Sequence, residues 1–174
     1  LLDGKRVAFR TPTQAIAAGI GLIPENRKEE GCFLDQSIRW NISIAALKRI
    51  TRSLLVDRKA EQGIARQYFD RLRVKAPSLE QRVGNLSGGN QQKVVIAKTL
   101  AGQSRVMIFD EPTRGIDVGA RAEIYRLMTD LAAEGIAILM ITSDMEELLG
   151  MSDRILVLHE GRVTGMIPRE GATQ

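Results

Sequence analysis

From Ser87 to Ile167 the chain alternates two hydrophobic periods, and that alternation restricts it to very few architectures. Helical spacing runs from Ser87 through Ala101 and stops near Gly102, and the apolar run Val106-Met107-Ile108-Phe109 follows it. A second helix is predicted from about Ala120 to Ala133, with Ile124, Leu127, Met128 and Leu131 on one face. Ile136 to Ile141 then reads as an apolar strand and Met145 to Leu149 as a short helix. Arg154 to Leu158 and Arg162 to Ile167 are strands joined at Glu160-Gly161. Apolar strands alternating with amphipathic helices predict an α/β fold whose sheet is covered on both faces.

Two interruptions of this pattern carry chemistry. The first helix opens on Leu86-Ser87-Gly88-Gly89-Asn90-Gln91-Gln92. A serine and two glycines at a helix start leave backbone N–H groups uncovered, which suits an anionic phosphate. The strand at 106 to 109 delivers Asp110 and Glu111 at its end. One carboxylate there suits magnesium and the other suits the proton of an attacking water. Taken singly, Ser-Gly-Gly is an ordinary helix cap and Asp-Glu an ordinary solvated loop. Together, with Pro112-Thr113-Arg114-Gly115-Ile116-Asp117 directly after them, they point to a nucleotide site.

Upstream, Asp3-Gly4 lies between Leu1-Leu2 and Arg6-Val7-Ala8-Phe9 and predicts a tight hairpin. Thr11 and Pro12 start a short helix that Gly19 stops, and Ile20 to Ile23 is a strand. Pro24 to Gly31 reads as a charged loop. Helical stretches follow, notably Trp40 to Ile50 and Asp57 to Arg73, until Pro77 breaks the pattern; Ser78 to Asn85 is a connection. The expected division is 1–33, hairpin and core strand; 34–85, a helical subdomain; and 86–174, the remaining core.

The composition is that of a soluble globular domain with one sizeable core. No apolar run is long enough to span a bilayer as a helix, and the first residues lack a signal peptide's order of charge and apolar core. Cys32 is the only cysteine, so no intrachain disulfide forms. The net charge of +4 is interspersed without a basic block or aromatic platform, and no nucleic-acid partner is expected.

The ordered motifs resemble the ABC-transporter nucleotide-binding domain: Leu86 to Gln92 its signature, Val106 to Glu111 its Walker B strand, and Gly115-Ile116-Asp117 its D-loop. The phrases Pro24-Glu25-Asn26-Arg27-Lys28-Glu29-Glu30-Gly31 and Pro112 to Ala120 are closer still to the C-terminal ATPase half of bacterial sugar importers of the ribose, galactose and xylose type. The resemblance implies a P-loop-NTPase-like ABC ATPase core with a helical subdomain. It implies that Asp110 holds Mg through water and that Glu111 is the general base. Ser87, Gly88, Gly89 and Gln91 would serve ATP bound to an opposite domain, in trans. For Gln91 and Gln92, fixing the helix against neighbours and lying on the surface remain open. Asp117 would touch the partner domain; capping the next helix is the rival reading, and both can hold together.

Two positions depart from the family. Glu25 stands where the family has the Q-loop glutamine, and Ser143 where it has the switch histidine. The site in this half therefore looks degenerate, with Glu25 adding negative charge near a polyphosphate. No G-x-x-x-x-G-K-[ST] element occurs, since Gly4-Lys5 lacks the upstream glycine. Because the family places its P-loop upstream, the expectation is an N-terminally truncated chain that is inactive alone.

The implied function is that of a fragment of an importer's ATP-binding subunit. It would use MgATP at the cytoplasmic face of a bacterial inner membrane, peripherally bound. Its partners would be the N-terminal ATPase half of the same subunit, transmembrane permease subunits and, indirectly, a periplasmic solute-binding protein. Membrane-subunit contact is expected from Pro24 to about Ile50, tuned by Arg27 and Lys28. Two alternatives stay open: a non-transport ABC ATPase of DNA repair or the ribosome, and a regulatory nucleotide-binding module. The transported solute is not legible. His159 is assigned to a strand end, Trp40 to packing, and Glu146-Glu147 to a solvated helix face.

Overall fold

The computed structural model describes residues 1–172. Its frame is a parallel three-stranded sheet in the order β1 (Ile20–Ile23), β4 (Val106–Asp110), β5 (Ala137–Ile141). Leu22, Ile108 and Leu139 share one row of the register, and Ile23, Phe109 and Met140 the next. Because strand side chains alternate, these rows face opposite ways. The second row is the inner one: Ile23, Met107 and Phe109 are fully buried in one core with Val94, Val95 and Ile96 of α5 (Gly88–Ala101).

Helix α5 is buried on nearly every side, as a helix at the centre of a fold must be. It packs on β1, on α6 (Val118–Ala133), and on the helical region that precedes it. That region holds α2 (Ile38–Ser43), α3 (Leu47–Ile50) and α4 (Arg58–Arg71), with Ile38, Ile42, Ala65 and Phe69 continuing the same core. Local chemistry sets the helix starts. Thr11 caps α1 (Pro12–Ala17) with Pro12 at its first position, and Asp57 accepts from the Lys59 and Ala60 amides at 3.0 Å. Asp144 caps α7 (Met145–Met151) in the same way.

Several expectations change. The Asp3-Gly4 turn forms with positive φ at both residues and a Leu2–Lys5 bridge, but Arg6 to Phe9 adds no strand. A two-stranded ribbon with nothing behind it is marginal in water. The charged stretch after Pro24 contains a wide helical turn, Arg27–Gly31, closed by Cys32 N–H donating to the Arg27 carbonyl at 3.0 Å. The helix expected over Trp40 to Ile50 is broken. Ser43 Oγ lies 3.3 Å from the Trp40 carbonyl and 3.0 Å from Glu61 Oε1, and the chain tightens through Ile44–Ala46 before α3. Serine bonding back onto its own helix favours such a bend. A small hairpin, β2 (Thr51–Arg52) with β3 (Leu55–Val56), went unanticipated.

The sheet is covered on one face rather than two. Leu22 is 55% and Leu139 52% exposed, so among the described residues nothing lies over that row. Strands β6 (Arg154–His159) and β7 (Arg162–Pro168) do form around a turn at Glu160-Gly161, but as a separate antiparallel ribbon.

Gly21 marks the tightest seat of α5 on the sheet. A Cβ there would stand 2.3 Å from Thr99 Cγ2 and 2.5 Å from Ser104 Oγ. Gly21→Ala is expected to destabilise the chain by about 1–3 kcal/mol, the usual cost of overpacking. Urea unfolding checks this, and an unchanged midpoint would mean that α5 shifts freely.

Candidate functional site

Strand β4 ends in Asp110 and leads into Glu111, whose φ of +45° lies in the left-handed region. That conformation is costly for a residue with a side chain, and it is held here from three sides. Glu111 N–H donates to Ile141 O at 2.9 Å, its carbonyl accepts from Arg114 N–H at 3.0 Å, and its Oε1 accepts from Ser143 N–H at 2.8 Å. Sequence reasoning paired Glu111 with Ser143 by family position, and the fold brings them together. The contact is through the serine backbone N–H, a donor that does not depend on the side chain.

Under this corner lies a carboxylate that was misread. Glu147 is 4% exposed, with one oxygen 3.3 Å from Thr113 Oγ1 and the other bonded to Thr142 Oγ1. It ties the loop after β4 to the loop after β5, so it is no solvated helix face; Glu146 beside it is exposed. Two hydroxyl partners are what a buried carboxylate requires. Its only sequence signal is its place in the first turn of α7.

A second group gathers at the starts of α5 and α6. Ser87, Gly89, Asn90, Asp117 and Gly119 border an open hollow of about 390 Å3, flanked by Lys75, Lys93 and Glu123. Ser87 precedes α5 without capping it, and its Oγ accepts from Asn90 Nδ2 at 3.0 Å. Gly89 is required because a Cβ there would lie 2.8 Å from Ala120 Cβ, where the two helix starts meet. Asp117 does cap α6, accepting from Ala120 N–H at 2.9 Å, and it remains exposed. Lys93 Nζ stands 2.7 Å and Lys75 Nζ 3.1 Å from the Glu123 carboxylate, and those two hydrogen bonds pull its pKa down to about 2.

Gln91 does not belong to this surface. It is buried, with Nε2 donating to Val83 O at 3.3 Å, so it fixes α5 against the preceding turn. Gln92 is buried as well, which removes the surface reading for both.

The Pro24–Gly31 segment contributes two basic contacts that were not foreseen. Glu25 and Arg114, both partly exposed, are in ion-pair contact. Arg27, expected at a surface, is buried. Its Nη1 donates to Arg114 O at 2.7 Å and its Nη2 to Gly115 O at 2.9 Å. Asn26, Lys28, Glu29 and Glu30 are the exposed members of the segment. His159 is exposed at the end of β6, the strand end to which it was assigned, and the half-buried Trp40 stands edge-on against the exposed Phe33 at 4.9 Å.

Asp110 is half-buried at the strand end. No group of three or more His, Cys, Asp or Glu able to cage a metal occurs among the described residues. One carboxylate with waters and phosphate oxygens is nevertheless the usual donor set of magnesium, and Asp110 fits it. No helix among the described residues is long and apolar enough to cross a membrane.

The chain is similar over residues 1–114 to the ABC transporter family. It is 53% identical over its whole length to the ribose import ATP-binding protein RbsA of Oceanobacillus iheyensis, covering 35% of that protein. It is 51% identical over 99% of its length to the xylose import ATP-binding protein XylG of Moorella thermoacetica, covering 34% of it. The chain thus spans about a third of the length of these relatives. Its fold matches cbiO1 from Clostridium perfringens, part of the ABC transporter complex cbiONQ. That match has a TM-score of 0.78 at 24% identity, covering 98% of this chain and 65% of that one.

Proposed function

This chain belongs to the ABC transporter family, and we propose that it is part of the ATP-binding subunit of a sugar importer. The observation that carries this reading is the separation of its chemistry into two surfaces. Ser87, Gly89 and Asp117 share the hollow at the starts of α5 and α6, whereas Glu111 and Ser143 meet at the ends of β4 and β5. Two surfaces suit a pair of ATPase halves that sandwich nucleotide, each offering a helix start to the phosphates held by the other. Ser87, Gly88 and Gly89 supply that start in trans, without Gln91. Asp117 meets the partner half while capping its own helix.

On the other surface, Asp110 would hold the magnesium of MgATP, and the ion would supply neutralisation of phosphate charge. Glu111 accepts the water proton, with the Ser143 amide fixing its carboxylate. The N-terminal ATPase half of the longer subunit is the partner for the first surface. Transmembrane permease subunits meet the exposed Lys28-Glu29-Glu30 and the helical region after it. A periplasmic solute-binding protein delivers the sugar beyond them, at a bacterial inner membrane.

Calorimetric titration tests the division of labour. MgATP added to the 174-residue chain is expected to bind weakly or not at all, because no glycine-lysine phosphate cradle occurs in it. Added to the isolated N-terminal half, MgATP should bind, and this chain should tighten that binding. Strong magnesium-dependent binding by the 174-residue chain alone would refute the reading.

A further inference from the structure

Arg27 reaches a segment far away in sequence with its two terminal nitrogens, while its buried Nε has no hydrogen-bond partner among the described residues. Its two terminal nitrogens donate to consecutive carbonyls, Arg114 O at 2.7 Å and Gly115 O at 2.9 Å. A Cβ on Gly88 would come within 2.7 Å of Arg27 Nη2 and 3.1 Å of Gly115 O. The first glycine of the Ser-Gly-Gly start therefore makes room for this arginine, whatever else its bare amide does. Burial without a carboxylate partner lowers the Arg27 pKa, so the charge is held there by carbonyl dipoles.

The other end of the same turn is fastened to the same helix. Lys98 Nζ donates to Gly31 O, and a Cβ on Gly31 would stand 3.0 Å from Val95 Cγ2. Cys32 Sγ and N–H both donate to the Arg27 carbonyl, at 3.2 and 3.0 Å, which closes the turn itself. Residues 27–31 are thus bonded at one end to the Arg114-Gly115 backbone, packed close to Gly88 of α5, and at the other to Lys98 of α5.

We propose that Arg27 is a positioning residue: its forked guanidinium locks the Arg27–Gly31 turn, the Arg114-Gly115 backbone and the start of α5 into one unit. Movement of the exposed Lys28-Glu29-Glu30 then carries Ser87, Gly89 and Asp117 with it. An ammonium has donors enough for two carbonyls but lacks the rigid planar fork that meets two consecutive ones in fixed geometry, so lysine is a poor substitute. The consequence for transport rests on the proposed function, because it takes the turn to face a permease and the α5 start to face nucleotide; the lock itself does not.

Hydrogen exchange on the 174-residue chain tests the lock. In Arg27→Met, which keeps an apolar stem, the amides of Arg114, Ile116, Ala120 and Gln91 should exchange faster. Loss of charge-assisted bonds corresponds to roughly ten- to a hundredfold. Arg27→Lys should resemble Arg27→Met rather than restore protection. The Leu72 amide in the α4 cap and the β6–β7 amides should not change. Unaltered exchange at 114–120 would overturn the proposal, and so would a uniform rise across the chain, since Arg27 would then support the core at large. In the complete subunit with its permease, Arg27→Met is expected to lower kcat for ATP about tenfold with KM little changed, as misplacement of aligned groups does. Faster exchange at the named amides with full ATPase and transport would leave the lock standing and refute the importer reading of these surfaces.

Discussion

Ser87→Arg in the complete two-half subunit is expected to leave the fold intact and nearly abolish ATP turnover. Ser87 is exposed, and among the described residues its one side-chain hydrogen bond is with Asn90 on the same helix start. Nothing in the core depends on it, so unfolding should shift by no more than the roughly 0.5 kcal/mol typical of surface changes. The effect on catalysis is of another order. An arginine there projects into the hollow beside Gly89 and Asp117, occupying the space in which the opposite half would bring its phosphates. Removing one preorganised donor from a transition state costs about 10²- to 10³-fold, and blocking the surface costs at least that. Steady-state ATPase at saturating MgATP, alongside thermal unfolding, decides it. Activity within a factor of a few of the parent would show that this helix start never meets nucleotide.

The choice of Ser87 over Gly88 for that test follows from what the sequence concealed. The spacing of Ile124, Leu127, Met128 and Leu131 was enough to place α6, and the apolar runs at 106 and 136 were enough for the parallel strands, because periodicity records which face is buried. Ser-Gly-Gly was legible as a helix start, but its glycines looked free for a ligand. In the fold each also answers to a neighbour, Arg27 at Gly88 and Ala120 at Gly89, so a change at Gly88 confounds catalysis with the lock. Contacts between distant segments leave no periodic trace. Arg27 on Gly115, Glu25 on Arg114 and Glu147 between Thr113 and Thr142 each join residues that a local reading treats separately. Charged residues in a loop or on a helix face were read as solvated for the same reason, and Arg27 in its loop and Glu147 on α7 depart from that reading. The bare sheet face was misjudged because an apolar strand signals burial without saying what covers it.

Glu111→Gln is expected to cost far less than Ser87→Arg, although Glu111 is the residue placed to accept the water proton. The substitution is conservative in geometry: a glutamine oxygen can still accept from the Ser143 amide at 2.8 Å, and the left-handed backbone stays held by Ile141 O and Arg114 N–H. What is lost is basicity alone. Where a general base is essential, its loss costs about 10²- to 10⁴-fold. On the reading proposed above, the site formed by Asp110, Glu111 and Ser143 would be weakened beforehand. Ser143 brings no imidazole to a γ-phosphate, and its N–H is already engaged by Glu111. If the surface around Ser87 serves the competent site and that around Glu111 a degenerate one, Glu111→Gln should lower turnover of the complete subunit by less than about tenfold while Ser87→Arg removes nearly all of it. Steady-state ATPase of the two variants side by side separates the cases. Equal, severe losses would make both sites catalytic and would require the Ser143 corner to hydrolyse ATP without a switch histidine.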